Sequence, residues 1–416
     1  MPSVDTGAPA RAGAFSDRSV PPNRRISLAL FAVGLATFSL LYATQPLLPA
    51  LTADFGVTPG QASWTVSAAT IGLAVAVLPL SALSERFGRR TMMTCSLAVA
   101  VAVALVLPLA PNIEVLIALR ALQGAAIAGI PASAMAYLAD ELPPRALVGA
   151  VGLFVAGNSV GGMSGRVLTG WAAEGWGWRA GLASVAAVSL VCAVVYRLLI
   201  PRARNFTPAS IRPAAVLRTV RGHLSDGLLL RLYSLGLLFM TVFGAVYTVI
   251  GYRLVAEPFG LSQGLVGSLF VVYLVGTVSS AAAGRLVGRL GRRGALYLAI
   301  GTTATGLLVS LGESLASVLT GLVLITAGFF AGHAVASSSV SRTAQEGRAQ
   351  ASALYQMAYY LGSSLGASLG AVAYHAAGWS ATVAFALGAL VLAAGVTLYA
   401  TRRALVRRRL EAVRSC

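Results

Sequence analysis

The sequence predicts an all-α polytopic membrane protein whose twelve transmembrane helices form two six-helix bundles. Three observations predict this fold class. Only 11% of the 416 residues are charged and 57% are hydrophobic; twelve apolar segments are each long enough to span a bilayer; and one short basic loop occurs twice, 203 residues apart. A soluble domain carries about 25% charged residues, and a disordered chain is poor in apolar ones. Both of these classes are therefore excluded.

A membrane-spanning helix needs about 20 mostly apolar residues. Segments that meet this requirement lie near residues 27–50, 62–83, 91–110, 113–138, 147–173, 178–200, 228–252, 264–286, 294–312, 315–340, 350–375 and 378–401. An even number of spans places both termini on the same side of the membrane.

The arginines predict which side that is. All 31 basic residues are Arg, and the formal net charge is +18. They concentrate in the tails and in the loops on the side of the termini, whereas the opposite loops hold only Arg179 and Arg253. This asymmetry is the positive-inside rule with cytoplasmic termini. Short arginine runs between apolar stretches do not build a nucleic-acid surface, so nucleic acid is not expected as a partner.

The chain is predicted to have five regions, in which the longest internal polar stretch separates two groups of six spans. We expect a disordered cytoplasmic tail that precedes Ile26 and lacks the apolar core of a signal peptide, two bundles, a basic linker with an interfacial helix over 211–224, and a basic C-terminal tail. The predicted boundaries are 1–25, 26–200, 201–227, 228–401 and 402–416.

The loops after spans two and eight share a pattern of arginine and glycine. Arg86, Gly88, Arg89 and Arg90 align with Arg289, Gly291, Arg292 and Arg293 at a constant offset of 203, close to half the chain. Glycine permits a tight turn between two helices, and arginines at the inner surface satisfy helix-end carbonyls or pair with acids. A lone basic turn would be only a positive-inside anchor; its repetition favours a duplicated transporter fold.

The first copy resembles the loop signature of the major facilitator superfamily, G-x-x-x-D-R-x-G-R-R, with Ser81 and Glu85 replacing Gly and Asp. The second copy keeps Gly284 but has Gly288 at the acidic position. The resemblance implies an inner gate latch formed by Ser81, Glu85, Arg86, Gly88, Arg89 and Arg90, and a second copy formed by Gly284, Arg289, Gly291, Arg292 and Arg293.

Other stretches refine the resemblance. The end of span one, 40–49, is similar to the first-span pattern of twelve-span drug:proton antiporters, and 120–124 resembles the superfamily's span-four arginine motif. Residues 157–166, 251–254 and 328–333 resemble the YnfM branch of bacterial exporters. Span five departs from the antiporter signature, because Gly161 and Gly162 stand where Gly-Pro is usual.

The resemblance implies a secondary transporter of the bacterial inner (plasma) membrane that exports small organic molecules by alternating access. Protons, the substrate and the lipid bilayer are the implied partners, no cofactor is implied, and a monomer is expected. An alternative is a transporter of organic anions or neutral, sugar-like solutes that uses Arg120 and Arg166.

Three ionisable residues stand out because they lie well inside predicted spans: Arg120, Arg166 and His333. Burying such groups costs about 2.5–3.5 kcal/mol on insertion scales, so each is a functional hypothesis. All 13 acids fall in tails, loops or span ends. The arginines could brace helices through carbonyl groups, contact an anionic substrate or take part in proton coupling; His333 could couple protons or be a neutral, hydrogen-bonded imidazole.

Polar side chains collect on the spans that would surround a central cavity, between spans 1, 4 and 5 and spans 7, 8, 10 and 11. The candidates for substrate binding or coupling are Tyr42, Gln45, Arg120, Gln123, Asn158, Arg166, Tyr247, Tyr273, His333, Tyr355, Gln356 and Tyr359.

An enzyme is not expected. A P-loop needs a lysine, which the chain lacks, and three cysteines without a CxxC spacing predict neither disulfides nor a metal site. Gly162-Met-Ser164-Gly165 resembles the GxSG of rhomboid-like intramembrane proteases, with His333 as an imaginable base. This remains a remote alternative, because Ser164 and His333 belong to opposite halves of a duplicated chain.

Overall fold

The computed structural model describes residues 22–206, 208, 213–344 and 347–414, and these are almost entirely helical. Most of the predicted N-terminal tail, part of the linker, two residues before span eleven and the last two residues lie outside the described residues. No side-chain placement is described beyond residue 400.

Thirteen α-helices make up the described chain, with 3-10 turns at Gln45–Leu47, Leu107–Leu109 and Leu269–Val272. The helices are α1 Pro22–Leu41, α2 Leu48–Phe55, α3 Pro59–Phe87, α4 Arg89–Val106, α5 Ile113–Ile127, α6 Pro131–Glu141, α7 Pro144–Leu199, α8 Pro213–Ser225, α9 Gly227–Val255, α10 Gln263–Ser268, α11 Tyr273–Val309, α12 Leu315–Thr343 and α13 Arg348–Arg414.

Within the described residues, nine helical segments are long and apolar enough to cross a membrane. Three of them are pairs of helices that meet at a non-helical kink, at Gly177 in α7, at Gly291 in α11 and at Ala377–Gly378 in α13. Dividing the three pairs gives twelve spans. The α8 helix lies between the two groups of six. The predicted all-α membrane fold is confirmed.

Three predicted spans are broken rather than continuous. Span 8 is α10 and the first part of α11 around the 3-10 turn Leu269–Val272, and spans 1 and 4 are broken at prolines. Pro46 has no N–H to donate to the carbonyl of Tyr42, and Gln45 N donates to that carbonyl instead, at 3.0 Å. In the same way Pro131 cannot donate to the carbonyl oxygen of Ile127, and Ile130 N donates to it instead, also at 3.0 Å. Span 1 is therefore α1 and α2 around a 3-10 turn, and span 4 is α5 and α6.

Glycine stripes bring two pairs of helices into close contact. A Cβ at Gly161 of span 5 would lie 2.2 Å from the carbonyl oxygen of Leu35 in span 1. A Cβ at Gly366 of span 11 would lie 2.1 Å from that of Thr241 in span 7. The same kind of helix packing thus occurs in both halves, and these two contacts each lie inside one half.

The two halves, residues 22–200 and 227–400, are hydrogen-bonded to each other at one end of the bundle. We call it the closed end; the other end, which carries residues 86–90 and 289–293, is the arginine-rich end. Thr52 Oγ1 and Tyr252 Oη are 2.7 Å apart, Ser67 Oγ and Ser368 Oγ are 2.8 Å apart, and Gly264 N donates to Glu174 Oε2 at 2.6 Å. In the described part of the chain, all hydrogen bonds between the halves lie between this end and the middle of the bundle.

The linker contacts both halves. Glu141 Oε1, at the end of span 4, accepts the backbone N–H groups of Arg204 and Asn205 at 2.8 and 2.9 Å. His223 Nε2, in α8, lies 3.1 Å from the carbonyl oxygen of Gly347 in the C-terminal half. The linker is therefore attached at the arginine-rich end.

Candidate functional site in the central cavity

A cavity of about 530 Å³ lies between the two halves, a volume suited to a small organic molecule. Its walls come from spans 1, 5, 7, 8, 10 and 11, and no residue of span 4 lines it. The predicted site residues that line it are Tyr42, Gln45, Asn158, Arg166, Tyr273, His333, Gln356 and Tyr359.

Arg166 forms the charged part of the cavity, at the side of the closed end. Its Nε donates to Gln45 Oε1 at 2.7 Å, and its Nη1 donates to the carbonyl oxygen of Gly162. The guanidinium carbon lies 4.4, 4.7 and 4.9 Å from the ring centroids of Tyr42, Phe270 and Tyr273. Such contacts lower the cost of a buried cation, and two of the three rings belong to the opposite half.

Arg120 lies outside the cavity and is fully buried. Its Nε donates to the carbonyl oxygen of Thr65 at 2.9 Å and Nη1 donates to that of Leu40 at 2.7 Å, while Nη2 donates to the carbonyl oxygen of Leu41. Gln123 accepts from the same guanidinium and donates to the carbonyl oxygen of Ala100 at 3.1 Å. Of the alternatives for Arg120, this geometry favours bracing at the break in span 1.

Two further candidates lie behind the cavity wall. Tyr247 Oη is 2.5 Å from Thr326 Oγ1. Tyr355 Oη is 2.9 Å from Nδ1 of His333, which does line the cavity. Tyr355 can therefore influence the cavity through the imidazole.

No sequence pattern predicted the aromatic wall of the C-terminal half. Phe243 and Phe329 stack with centroids 3.9 Å apart, and Phe330 lies 5.8 Å from Phe243 and 5.9 Å from Tyr273. A phenylalanine in a span can face lipid as favourably as it faces a cavity, so hydropathy could not predict that these rings line one. The distances between rings on different helices are known only from the folded structure.

Two buried polar atoms at the cavity have no hydrogen-bond partner in the described structure: Tyr273 Oη and Asn158 Oδ1. Buried polar groups are usually paired. Asn158 Oδ1 lies against Gly34 of span 1, so the Tyr273 hydroxyl is the candidate for contact with a bound molecule. The lining residues include no carboxylate, and their ionisable groups other than tyrosines are Arg166 and His333.

The two copies of the basic loop differ in their partners. Gly88 and Gly291 both take positive φ, 98° and 70°, which explains why glycine stands at each turn. In the first copy Arg89 pairs with Asp140 at 3.6 Å, an acid that lies outside the motif. In the second, Arg292 lies among the charges of Arg231, Arg293 and Arg342. The position 203 residues after Asp140 is Thr343, so the second copy lacks that acid.

Ser164 does not line the cavity, and the imidazole of His333 is hydrogen-bonded to Tyr355. In the described ranges no group of three or more His, Cys, Asp or Glu residues is placed to hold a metal ion.

Comparisons with known proteins agree with this architecture. The model of the Major Facilitator Superfamily matches residues 26–340 and 232–414. The inner membrane transport protein YnfM of Escherichia coli (strain K12) is 38% identical over 379 residues, 91% of each chain. An uncharacterized MFS-type transporter of Bacillus subtilis (strain 168), YybF, is 38% identical over 347 residues, 83% of this chain and 86% of that one.

A solved structure with the same fold is that of a bacterial homologue of the human lysosomal transporter Spinster in an inward-facing, unoccupied conformation. It superposes with a TM-score of 0.75 at 16% identity and covers 92% of this chain and 98% of that one.

Proposed function

The chain belongs to the major facilitator superfamily, and from this premise we propose that it is a proton-coupled exporter of small organic molecules. It works by alternating access in a bacterial inner membrane, with both termini and the arginine-rich end in the cytoplasm. The relatives are membrane transporters; the direction of transport and the coupling ion are parts of the proposal.

The observation that carries the proposal is the cavity between two halves whose direct hydrogen bonds, among the described residues, all lie between the closed end and the middle of the bundle. With the arginine-rich end in the cytoplasm, this is a conformation in which a cytoplasmic molecule would enter the cavity. Rocking of the halves would then break the hydrogen bonds at the closed end and release the molecule outside. The cavity is complete within one chain, which supports a monomer as the working unit.

His333 is the favoured site of proton coupling. Imidazole is the side chain whose ordinary titration range includes physiological pH, and His333 is the histidine that lines the cavity. It lies against Tyr359, with ring centroids 4.7 Å apart, and shares a hydrogen bond with Tyr355. A proton on this ring would change the charge of the cavity at the place where a substrate binds.

A two-step experiment tests the proposed function. Purified full-length protein is first screened for thermal stabilisation by organic cations, anions and neutral molecules. Each stabilising compound is then added to proteoliposomes that contain a pH-sensitive dye. We expect transport of at least one compound together with counter-movement of protons. Transport without proton movement would refute coupling, and folded protein that transports none of its stabilising compounds would refute the exporter.

His333→Gln separates coupling from architecture. Glutamine can keep a hydrogen bond to Tyr355 but does not titrate, so we expect transport that no longer responds to a pH gradient. Tyr355→Phe is the control, since it removes this hydrogen bond but leaves the imidazole, and it should keep the pH response. If the pH response of His333→Gln equals that of the wild type, His333 has no coupling role.

A further inference from the structure

We propose that the cavity selects a monoanion with a flat apolar body, and that Arg166 binds its single carboxylate or comparable acidic group. This inference names the substrate class of the exporter proposed above and rests on that function for its physiological meaning. Binding can nevertheless be measured without transport.

The charge of Arg166 has no counter-ion. Arg166 as a residue is 3% exposed, and the two ion pairs in the described part of the chain, Arg89–Asp140 and Arg179–Asp54, do not include it. A buried charge without an opposite charge is strongly unfavourable, and arginine does not escape by losing its proton. The aromatic rings around it lower this cost in part, and an anionic substrate would complete the pairing.

Hydrogen-bond donors remain available for that substrate. Arginine offers five N–H donors, of which one at Nε and one at Nη1 are used, by Gln45 and Gly162. Nη2 makes no hydrogen bond in the described structure. The unpartnered hydroxyl of Tyr273 belongs to the ring that lies 4.9 Å from the guanidinium carbon. The guanidinium and the hydroxyl could bind one carboxylate from two halves of the protein.

The rest of the cavity suits an apolar body. Phe243, Phe329 and Phe330 form an aromatic wall on the C-terminal half, and flat rings pack on such walls by offset or edge-to-face contacts. The cavity lining offers no second guanidinium and no carboxylate. One acidic group can therefore be paired, a second would be buried unpaired, and a cation would meet a like charge.

Arg120 does not add a second group that could pair with an acidic group in the cavity. Its guanidinium is occupied by the carbonyl groups of Thr65, Leu40 and Leu41 and does not reach the cavity. The anion site thus depends on one arginine, which makes it open to a direct test.

Three probes with the same ring system test the inference: naphthalene-2-acetate, naphthalene-2-acetamide and 2-(2-naphthyl)ethylamine. Binding to purified full-length wild-type protein is measured by titration calorimetry at neutral pH. We expect the anion to bind about 10- to 100-fold more tightly than the amide, the range given by a hydrogen bond to a charged group. The amine should bind most weakly.

The variants identify the residues. Arg166→Gln should remove the preference for the anion over the amide, and Tyr273→Phe, which keeps the ring, should reduce the anion's affinity about 3- to 10-fold. Arg221→Gln is the matched control: it also removes one positive charge, but from an exposed position on α8 outside the cavity. It should bind all three probes as the wild type does.

The inference is overturned if the wild type binds the amine or the amide at least as tightly as the anion, or binds none of the three. It is also overturned if Arg166→Gln keeps the preference. Should Arg166→Gln fail to fold, unchanged anion binding by Tyr273→Phe contradicts the two-donor site. Arg166-dependent binding without movement of the anion into proteoliposomes would refute the exporter and leave the anion site standing, so the two failures are distinguishable.

Discussion

Nε of Arg120 donates a hydrogen bond to the carbonyl oxygen of Thr65 at 2.9 Å, and so joins span 4 to span 2. The same guanidinium reaches two carbonyl groups of span 1 just before its helix is interrupted at Pro46. Arg166 lies on span 5 and faces the cavity instead. Two arginines for which the sequence left the same alternatives are thus placed differently: one is bonded to carbonyl groups at a broken helix, and the other lines the cavity.

We predict that Arg120→Gln destabilises the folded protein more than Arg166→Gln does. The first change removes the hydrogen bonds of a charged donor to the buried carbonyl oxygens of Thr65, Leu40 and Leu41, each worth about 1.5–3 kcal/mol. The second removes donors whose acceptors are a cavity side chain and a carbonyl within the same helix. The midpoint of thermal unfolding of the two purified variants measures the difference. Equal or reversed losses would contradict the bracing role.

The difference between the two arginines marks how far the sequence could predict the site. Span positions follow from hydropathy, because a helix in lipid must be apolar along about 20 residues. The rotation of a span about its axis does not, because the lipid-facing and the protein-facing sides are both apolar. Arg120 and Arg166 were therefore predicted as equivalent, and only the fold directs one to carbonyl groups and the other to the cavity.

The breaks in spans 1 and 4 lie at prolines that are visible in the sequence. Pro46 and Pro131 each lie inside an apolar segment, where the missing N–H removes one helical hydrogen bond. Pro79 also lies inside a span, but α3 continues through it, so a proline alone does not predict a break. By contrast, the stacking of Phe243 on Phe329 joins residues 86 positions apart and could not be foreseen from local pattern.

A second prediction concerns the glycine stripe of span 5. Gly161→Ala would place a methyl group 2.2 Å from the carbonyl oxygen of Leu35, so spans 1 and 5 must separate, at a cost of roughly 1–3 kcal/mol. Gly152→Ala is the matched control on the same helix, because its Cβ meets nothing within 4 Å. Thermal unfolding should show a loss for the first and none for the second. Similar midpoints for both would argue against the close contact.

The closed end should open more readily when Tyr252 loses its hydroxyl. Tyr252→Phe removes the hydrogen bond to Thr52 that joins spans 1 and 7. One such bond contributes about 1 kcal/mol, so the population open at this end should rise about fivefold. Spin labels at the exposed residues Glu114 and Glu313, on opposite halves, report the opening by pulsed dipolar distances after replacement of the native cysteines.

Tyr374→Phe is the control for that measurement. Tyr374 packs beside Tyr252 with ring centroids 5.9 Å apart, and its hydroxyl makes no hydrogen bond between the halves in the described structure. The control should leave the distance distribution unchanged. If Tyr252→Phe also leaves it unchanged, the hydrogen bond to Thr52 does not hold this end closed.

The membrane potential provides the last prediction, since it links the coupling ion to the substrate charge. Exchange of one inward proton for one outward monoanion moves two positive charges inward in net terms. Each charge is worth about 2.3 kcal/mol per 100 mV, so a potential of 100 mV contributes about 4.6 kcal/mol. That is roughly a 10³-fold gradient of the anion at equilibrium.

A potential set with valinomycin and potassium across proteoliposomes allows the ratio of naphthalene-2-acetate across the membrane to be measured. This equilibrium ratio does not depend on how the protein is oriented in the vesicles. We expect the logarithm of the ratio to rise with potential with the slope of two charges in the wild type. In His333→Gln the slope should fall to that of one charge, because the anion then moves without a proton. A ratio that ignores the potential in the wild type, while the anion is still transported, would contradict the exchange of a proton for an anion.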